Sequence, residues 1–416
     1  LETIVIRLLA LSLVVTSLPS AAADSIDWNQ WRGPQRDGTA RGFTVPPVWP
    51  KALSKRWTVE VGEGHSSPLV VKDRVYILTR QSENEVLSCL NLDTGAKIWE
   101  YRYASPFNQV LFPARSLGRG PRATPLVADG TLYAVGINGE LYALDAASGR
   151  LLWRNDFKGV FNPPIPNFGA SASPLLVGDT LVANVGGNNN GWIAGFDRRT
   201  GGLKWKWEGD GPGYTSPIVA ELGGERQLVT MTQKMCVGLS LNGKLLWSVP
   251  YTGGFCHNSI QPIVKGDLVV FGGNLRSTFA VKPSRSGDTW NAEKVWETRD
   301  VTQSTTSPVL LGDRMLVLNE KKRGSLAWMD VATGRLLWSN EGGMGETNTL
   351  YDLGGQVLNY TYRGDLIIWK PDGEIMKEVA RWKVADSISW ASPALSGNRI
   401  VVKDETTLTL WEIPGA

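Results

Sequence analysis

The sequence predicts an all-β chain folded as an eight-bladed β-propeller of four-stranded antiparallel blades. Two residue ladders carry that expectation. Trp57, Trp99, Trp153, Trp205, Trp247, Trp296, Trp338 and Trp382 recur every 42 to 54 residues. A period of this length, with one strand-turn-strand unit per repeat, marks a radial β array. The second ladder reads Ser67-Pro68, Thr124-Pro125, Ser173-Pro174, Ser216-Pro217, Gln261-Pro262, Ser307-Pro308, a degenerate Asn348-Thr349, and Ser392-Pro393. Composition agrees: 46 Gly and 18 Trp in 416 residues, without sustained helical periodicity, suit one large β domain.

Taken in order, the first element is a leader. Arg7 precedes an apolar run from Leu8 to Leu18, and Ala21-Ala22-Ala23 follows. That pattern predicts a secretory signal over residues 1–23, cleaved near Ala23. The run is too short to span a bilayer, and no later segment reaches about 18 consecutive apolar residues. No Cys follows the Ala run, so the signal is not of the lipoprotein kind, and the expected location is periplasmic or secreted. Residues 24–52 form an extended lead-in, and residues 53–414 the propeller.

Each blade begins at its Ser-Pro step, because Pro at a strand's start forfeits no ladder hydrogen bond. Strand A leads to a polar turn such as Asp129-Gly130, and strand B to a hairpin, as in Val75-Tyr76-Ile77-Leu78. Strand C (Leu141-Tyr142-Ala143-Leu144) is followed by a Thr/Ser-Gly turn, and strand D carries the Trp. Trp57 precedes every Ser-Pro step, whereas Ser392-Pro393 has no Trp-bearing strand D after it. Residues 53–61 therefore supply the outer strand of the last blade, which closes the ring and removes two free edges. The ladder tryptophans are expected to pack between neighbouring blades.

The segment from Leu141 to Trp153, with Asp145, Ser148-Gly149 and Leu151-Leu152, resembles the repeat of the pyrroloquinoline-quinone (PQQ)-like β-propeller family. Trp328 to Trp338, with Thr333-Gly334, resembles it equally well, while blades 4, 5, 7 and 8 keep the spacing and lose much of the motif. Trp28-Asn29-Gln30-Trp31-Arg32-Gly33-Pro34 with Asp37-Gly38 resembles the opening segment of a secreted bacterial branch. The family includes quinone-dependent alcohol dehydrogenases and a lipoprotein scaffold of outer-membrane β-barrel assembly. The resemblance implies the fold; function has to be argued from the site.

Several function classes are excluded. A net charge of +3 without a basic run interleaved with aromatics is no nucleic-acid footprint. There is no Gly-x-Ser-x-Gly elbow, no His-Glu-x-x-His and no Cys-x-x-Cys-His. Glycine clusters such as Gly118-Arg119-Gly120 open no helix, so a phosphate cradle is not expected. Arg115, Arg119 and Arg122 form either a solvated loop or an anion-attracting rim. Cys89 and Cys236 fall on C strands and read as buried small hydrophobes. Cys236 and Cys256 can bridge blades 4 and 5 only if their Cα atoms lie within about 7 Å.

In a propeller, the connections from strand D to the next strand A converge on the central channel. The residues just before each Ser-Pro step therefore meet there, and both histidines of the chain fall among them. The candidate ligand-binding residues are His65, Arg122, Tyr214, His257, Asn258, Glu346, Asn348 and Trp390. A structural hydrogen-bonding role at the channel mouth is the plain alternative for each histidine. The two lie on blades 1 and 5, opposite one another, so a shared metal would need both to reach across the ring.

No catalytic or metal-binding residue is assigned and no cofactor is expected. The reading is an exported, monomeric, non-enzymatic propeller that binds a protein, peptide or glycan partner through its channel-face loops, chiefly residues 104–120 and 158–169. The alternative is a PQQ-dependent alcohol or sugar dehydrogenase holding the quinone and Ca²⁺ in the channel. There Arg122 would pair a carboxylate, Trp390 would face the ring, Glu346 and Asn348 would ligate calcium, and Asp300 or Asp386 would serve as base.

Overall fold

A computed structural model of the chain describes residues 27–108, 117–254 and 258–415. Among them, 32 strands form eight four-stranded antiparallel sheets. The first blade is typical: Leu69–Val71, Arg74–Gln81, Asn84–Asn91 and Lys97–Ala104 follow one another in space as in sequence. Strand A begins one residue after the ladder proline in the blades that have one, and at Asn348 itself in the seventh. The last blade takes Ala394–Ser396, Arg399–Lys403 and Thr407–Glu412 from the end of the chain and Ser54–Glu60 from its start. Thr58 faces Thr409 and Glu60 faces Thr407, so the ring closes through residues 53–61 as the two offset ladders require.

The core is divided rather than central. Most of its apolar clusters lie between the facing sides of neighbouring blades, for instance Leu126, Tyr133 and Ala143 of blade 2 with Leu181, Ala183 and Ala194 of blade 3. The ladder tryptophans join these layers. Trp57 Nε1 donates to Leu92 O at 2.8 Å, Trp99 to Ala146 O at 3.1 Å, Trp153 to Arg198 O at 3.0 Å and Trp296 to Val331 O at 2.9 Å. Each acceptor sits in the following blade, just before its Thr/Ser-Gly turn. A bulge beside the tryptophan, as between Cys89 and Leu90 opposite Trp99, turns the ring out of its own sheet. Two tryptophans depart from the pattern: Trp247 Nε1 donates to Gln227 Oε1 of its own blade at 2.7 Å, and Trp382 Nε1 donates to Pro50 O, with its ring packed against Trp49 at 5.6 Å.

The Ser-Pro ladder does more than start strands. The N–H of Ser392 donates to Ser67 Oγ at 2.9 Å, that of Ser67 to Thr124 Oγ1 at 3.1 Å, and that of Thr124 to Ser173 Oγ at 2.9 Å. The N–H of Ser173 continues the series to Ser216 Oγ at 2.9 Å. The hydroxyls thus form a belt of blade-to-blade hydrogen bonds around the channel. It resumes with Gln261 N–H to Ser307 Oγ at 3.0 Å.

The lead-in segment is built into the ring. Trp28 pairs with Val70, Thr39 with Asp352 and Phe43 with Gly397, so the chain crosses the lower mouth of the channel from blade 1 to blades 7 and 8. On the way it plugs the channel. Arg32 donates to Ser307 O (3.2 Å) and Pro308 O (2.6 Å), while Arg36 donates to Pro174 O (2.7 Å) and Ser173 O (3.1 Å) on the other side. Gln261 Nε2 holds the Arg36 carbonyl. Both guanidiniums lie near the ring of Trp31, at 5.8 and 5.9 Å from its centroid.

Candidate ligand site at the channel mouth

Above the plug, the converging loops leave a pocket of about 170 Å³. Trp31 closes it on the side of the plug; His65, Phe168, Tyr214 and Trp390 give it aromatic walls, and Arg122 its charge. A wider cleft of about 690 Å³ opens beside it over blades 5 to 7 and shares Leu117, Phe168, Thr305 and Trp390 with it.

Arg122 donates from Nη2 to Gly118 O at 3.2 Å, while its Nε and Nη1 are buried without an acceptor among the described residues. Burial lowers its pKa to about 10, which leaves it cationic at neutral pH. His65 places Nε2 at 2.7 Å from Leu117 O, so that nitrogen carries the proton. Burial first, then the nearby Arg122 charge, push its pKa down to about 3 and keep the ring neutral. The His65 and Trp390 rings lie 5.9 Å apart. Tyr214 packs edge-on against Phe168 at 5.6 Å, and its hydroxyl accepts from Phe168 N–H at 3.2 Å.

Of the residues expected here, His65, Arg122, Tyr214 and Trp390 meet in the pocket. Glu346 lies on the wider cleft. Asn258 is fully buried with its amide turned into the fold: Nδ2 donates to Thr232 O at 2.8 Å and Oδ1 accepts from Gly253 N–H at 3.1 Å. Asn348 lines neither cavity; it starts a strand, and its N–H donates to Thr306 Oγ1 at 2.8 Å. His257, Cys256, Arg115 and the leader lie outside the described residues. Sequence reasoning passed over Trp31, Phe168 and Leu117. Trp31 stands in the Trp-Arg-Gly-Pro segment, whose distance from the blades in sequence hides its place in the channel.

The donor set does not suit a calcium-held quinone. Ca²⁺ takes six to eight oxygen ligands, carboxylates among them. Among the described residues, the pocket is lined by hydroxyls, aromatics, Leu117, His65 and Arg122, with no carboxylate. Among the described residues, no three His, Cys, Asp or Glu side chains are placed to share a metal. A tricarboxylate calls for several guanidiniums, and those of Arg32 and Arg36 are already bonded to carbonyls. Asp300 and Asp386 line neither cavity.

Fold and repeat together define a PQQ-like β-propeller with a plugged channel and a cationic, aromatic-walled mouth. A family model described as outer membrane protein assembly factor BamB matches residues 83–340, and the chain belongs to that family. The outer membrane protein assembly factor BamB of Burkholderia pseudomallei (strain K96243) is 26% identical over 359 residues, spanning 83% of this chain and 84% of that one. Among solved structures, BamB from Moraxella catarrhalis superposes with a TM-score of 0.61 at 14% identity, covering 88% of this chain and 99% of that one. A europium-containing methanol dehydrogenase shares the fold at a TM-score of 0.55 and 13% identity, over 92% and 89% of the two chains. A quinohemoprotein alcohol dehydrogenase of Pseudomonas putida is 35% identical over 83 residues, 20% of this chain and 10% of its own. Among the described residues, no helix is long and apolar enough to cross a membrane.

Proposed function

We propose that this chain is an exported binding scaffold serving outer-membrane protein assembly, and that it engages a protein partner through the loops of its channel face. The observation that carries this reading is the near end-to-end match to the Burkholderia assembly factor. The pocket's chemistry supports it: among the described residues His65 is held neutral and has no carboxylate beside it, so these residues form no acid–base pair. The loops supply contact surface. Val160 in the 158–169 loop, Leu275 in the hairpin of blade 5 and Ile388 before the last blade are 49%, 69% and 56% exposed on that same face. The periplasm is the compartment that fits the partner and the apolar leader.

The test is complementation. The full chain is expressed in a bacterium lacking its own BamB, and folded outer-membrane proteins are quantified. Restored levels are expected, reduced at least twofold by Leu275→Glu with Ile388→Glu at unchanged melting temperature. A wild-type chain that is exported and folded yet restores nothing would overturn the reading.

A further inference from the structure

We infer that the channel-mouth pocket is a binding site for a small organic monocarboxylate whose apolar part lies between Trp390 and Phe168. The inference stands on the pocket itself and does not depend on the scaffold role.

The first observation is an uncompensated cation. None of the ion pairs among the described residues includes Arg122. Among the described residues its one acceptor is the Gly118 carbonyl, and its Nε and Nη1 have none. A half-buried guanidinium with two nitrogens withdrawn from water and no counter-charge is unfavourable, and an anion in the pocket relieves it.

The second observation is independent and concerns hydroxyls. Ser67, Thr124, Ser173 and Ser216 line the pocket, and each accepts a backbone N–H from the preceding blade. One lone pair of each is engaged by the belt, and their O–H hydrogens have no acceptor among the described residues. Three further pocket hydroxyls differ: Ser171 donates to Gly169 O, Ser259 to Ser304 O and Thr305 to Glu346 O, while Ser392 Oγ accepts from Thr349 Oγ1 at 2.9 Å. The four spare donors fall on four consecutive blades around Arg122. Among the described residues, four O–H donors and one cation with no carboxylate beside them form a surface that asks for an acceptor-rich anion.

Charge and shape narrow the class. One available guanidinium matches one negative charge, and its planar fork matches a carboxylate. His65 Nε2 donates to Leu117 O, and burial keeps the ring neutral, so it adds no second cation. The walls are aromatic and the volume is small, so the rest of the ligand is compact and apolar. Two sources share this chemistry, a free acid and the C-terminal carboxylate of a peptide lying in the adjoining cleft.

The experiment titrates the folded chain with phenylacetate, its cationic isostere benzylamine, and a short peptide ending in Phe with either a free or an amidated C-terminus. Tryptophan fluorescence and thermal shift are followed. Saturable binding of phenylacetate or of the free-acid peptide is expected, with at least tenfold weaker binding of benzylamine and the amide. Free-acid peptide binding tenfold tighter than phenylacetate assigns the peptide source; the reverse assigns a free acid. Arg122→Met is expected to lose at least tenfold in affinity while its melting temperature stays level or rises, and Arg122→Lys to retain part of the binding. If Arg122→Met does not fold, the wild-type comparison of acid against amine decides. No saturable binding by either acid, or equal binding of acid and amide, would overturn the proposal.

Discussion

Glu85 shows what one residue contributes here beyond its sequence context. It lies between Asn84 and Val86 on a strand beside a hairpin turn, where a glutamate is ordinarily solvated. Instead it is fully buried, accepts from Tyr103 O–H at 2.7 Å and from Ile137 N–H at 3.0 Å, and has Glu140 nearby. Burial outweighs those two hydrogen bonds and raises its pKa from 4.5 to about 7. Because the folded value lies above the unfolded one, the protonated form stabilises the fold fully below pH about 4.5, and that contribution is lost as pH rises through 7. Unfolding free energy is expected to fall by about 3 kcal/mol between pH 4.5 and 8 from this group, and Glu85→Gln to flatten the profile. Denaturant melts of both proteins across that range check it; parallel profiles would assign the carboxyl no such role. The channel-loop residues show the same gap between type and place. Asn258 precedes Gln261-Pro262 and Tyr214 precedes Ser216-Pro217, yet the first turns its amide into the fold and the second faces the pocket. A loop's path, which no local pattern encodes, decides between them.

At the scale of the element, the repeating part is the clasp between a tryptophan and the next blade's turn. The Trp99 ring lies against Gly149, where an added Cβ would stand 2.5 Å from the ring. Gly149 also has φ +73°, and Gly130 has a matching φ of +74° with open space where its Cβ would stand. The pair therefore separates backbone strain from steric exclusion. Gly130→Ala is expected to destabilise by about 1 kcal/mol, from φ alone. Gly149→Ala is expected to lose at least about 2 kcal/mol, since the ring must also move. Urea titrations of the two variants measure the difference, and equal losses would mean that the clasp tolerates a methyl group. The Trp and Ser-Pro ladders were legible because each repeats once per blade, and their offset revealed which strand closes the ring. The hydroxyl belt was not legible. Ser before Pro reads as strand punctuation, and its role as acceptor for the preceding blade emerges only when eight such steps stand in a circle.

At the scale of the whole molecule, the lead-in segment acts as a floor. Arg32 and Arg36 look like surface residues in a polar stretch, yet they are 4% and 2% exposed and tie opposite sides of the ring through its carbonyls. Burial lowers the Arg36 pKa to about 9, so it keeps its charge at neutral pH. Arg36→Met leaves the Ser173 and Pro174 carbonyls without this donor and is expected to destabilise the fold by about 2–3 kcal/mol. It should also loosen Trp31, detectable as faster hydrogen exchange in residues 28–40. Unchanged stability and exchange would make the plug a passive filler. The resemblance of Trp28 to Gly38 to a known opening segment was visible in the sequence, but not that this segment occupies the channel.

The closing strand has a consequence for timing. Thr58 and Thr409 face each other across the seam, 351 residues apart along the chain. The earliest blade strand to leave a ribosome or an export pore is therefore paired only when the last strands arrive. Until then Ser54–Glu60 has no partner, the edge it will cover stays open, and neither can be protected by local contacts. The seam is therefore open throughout synthesis, and closes only when the last hairpin is delivered.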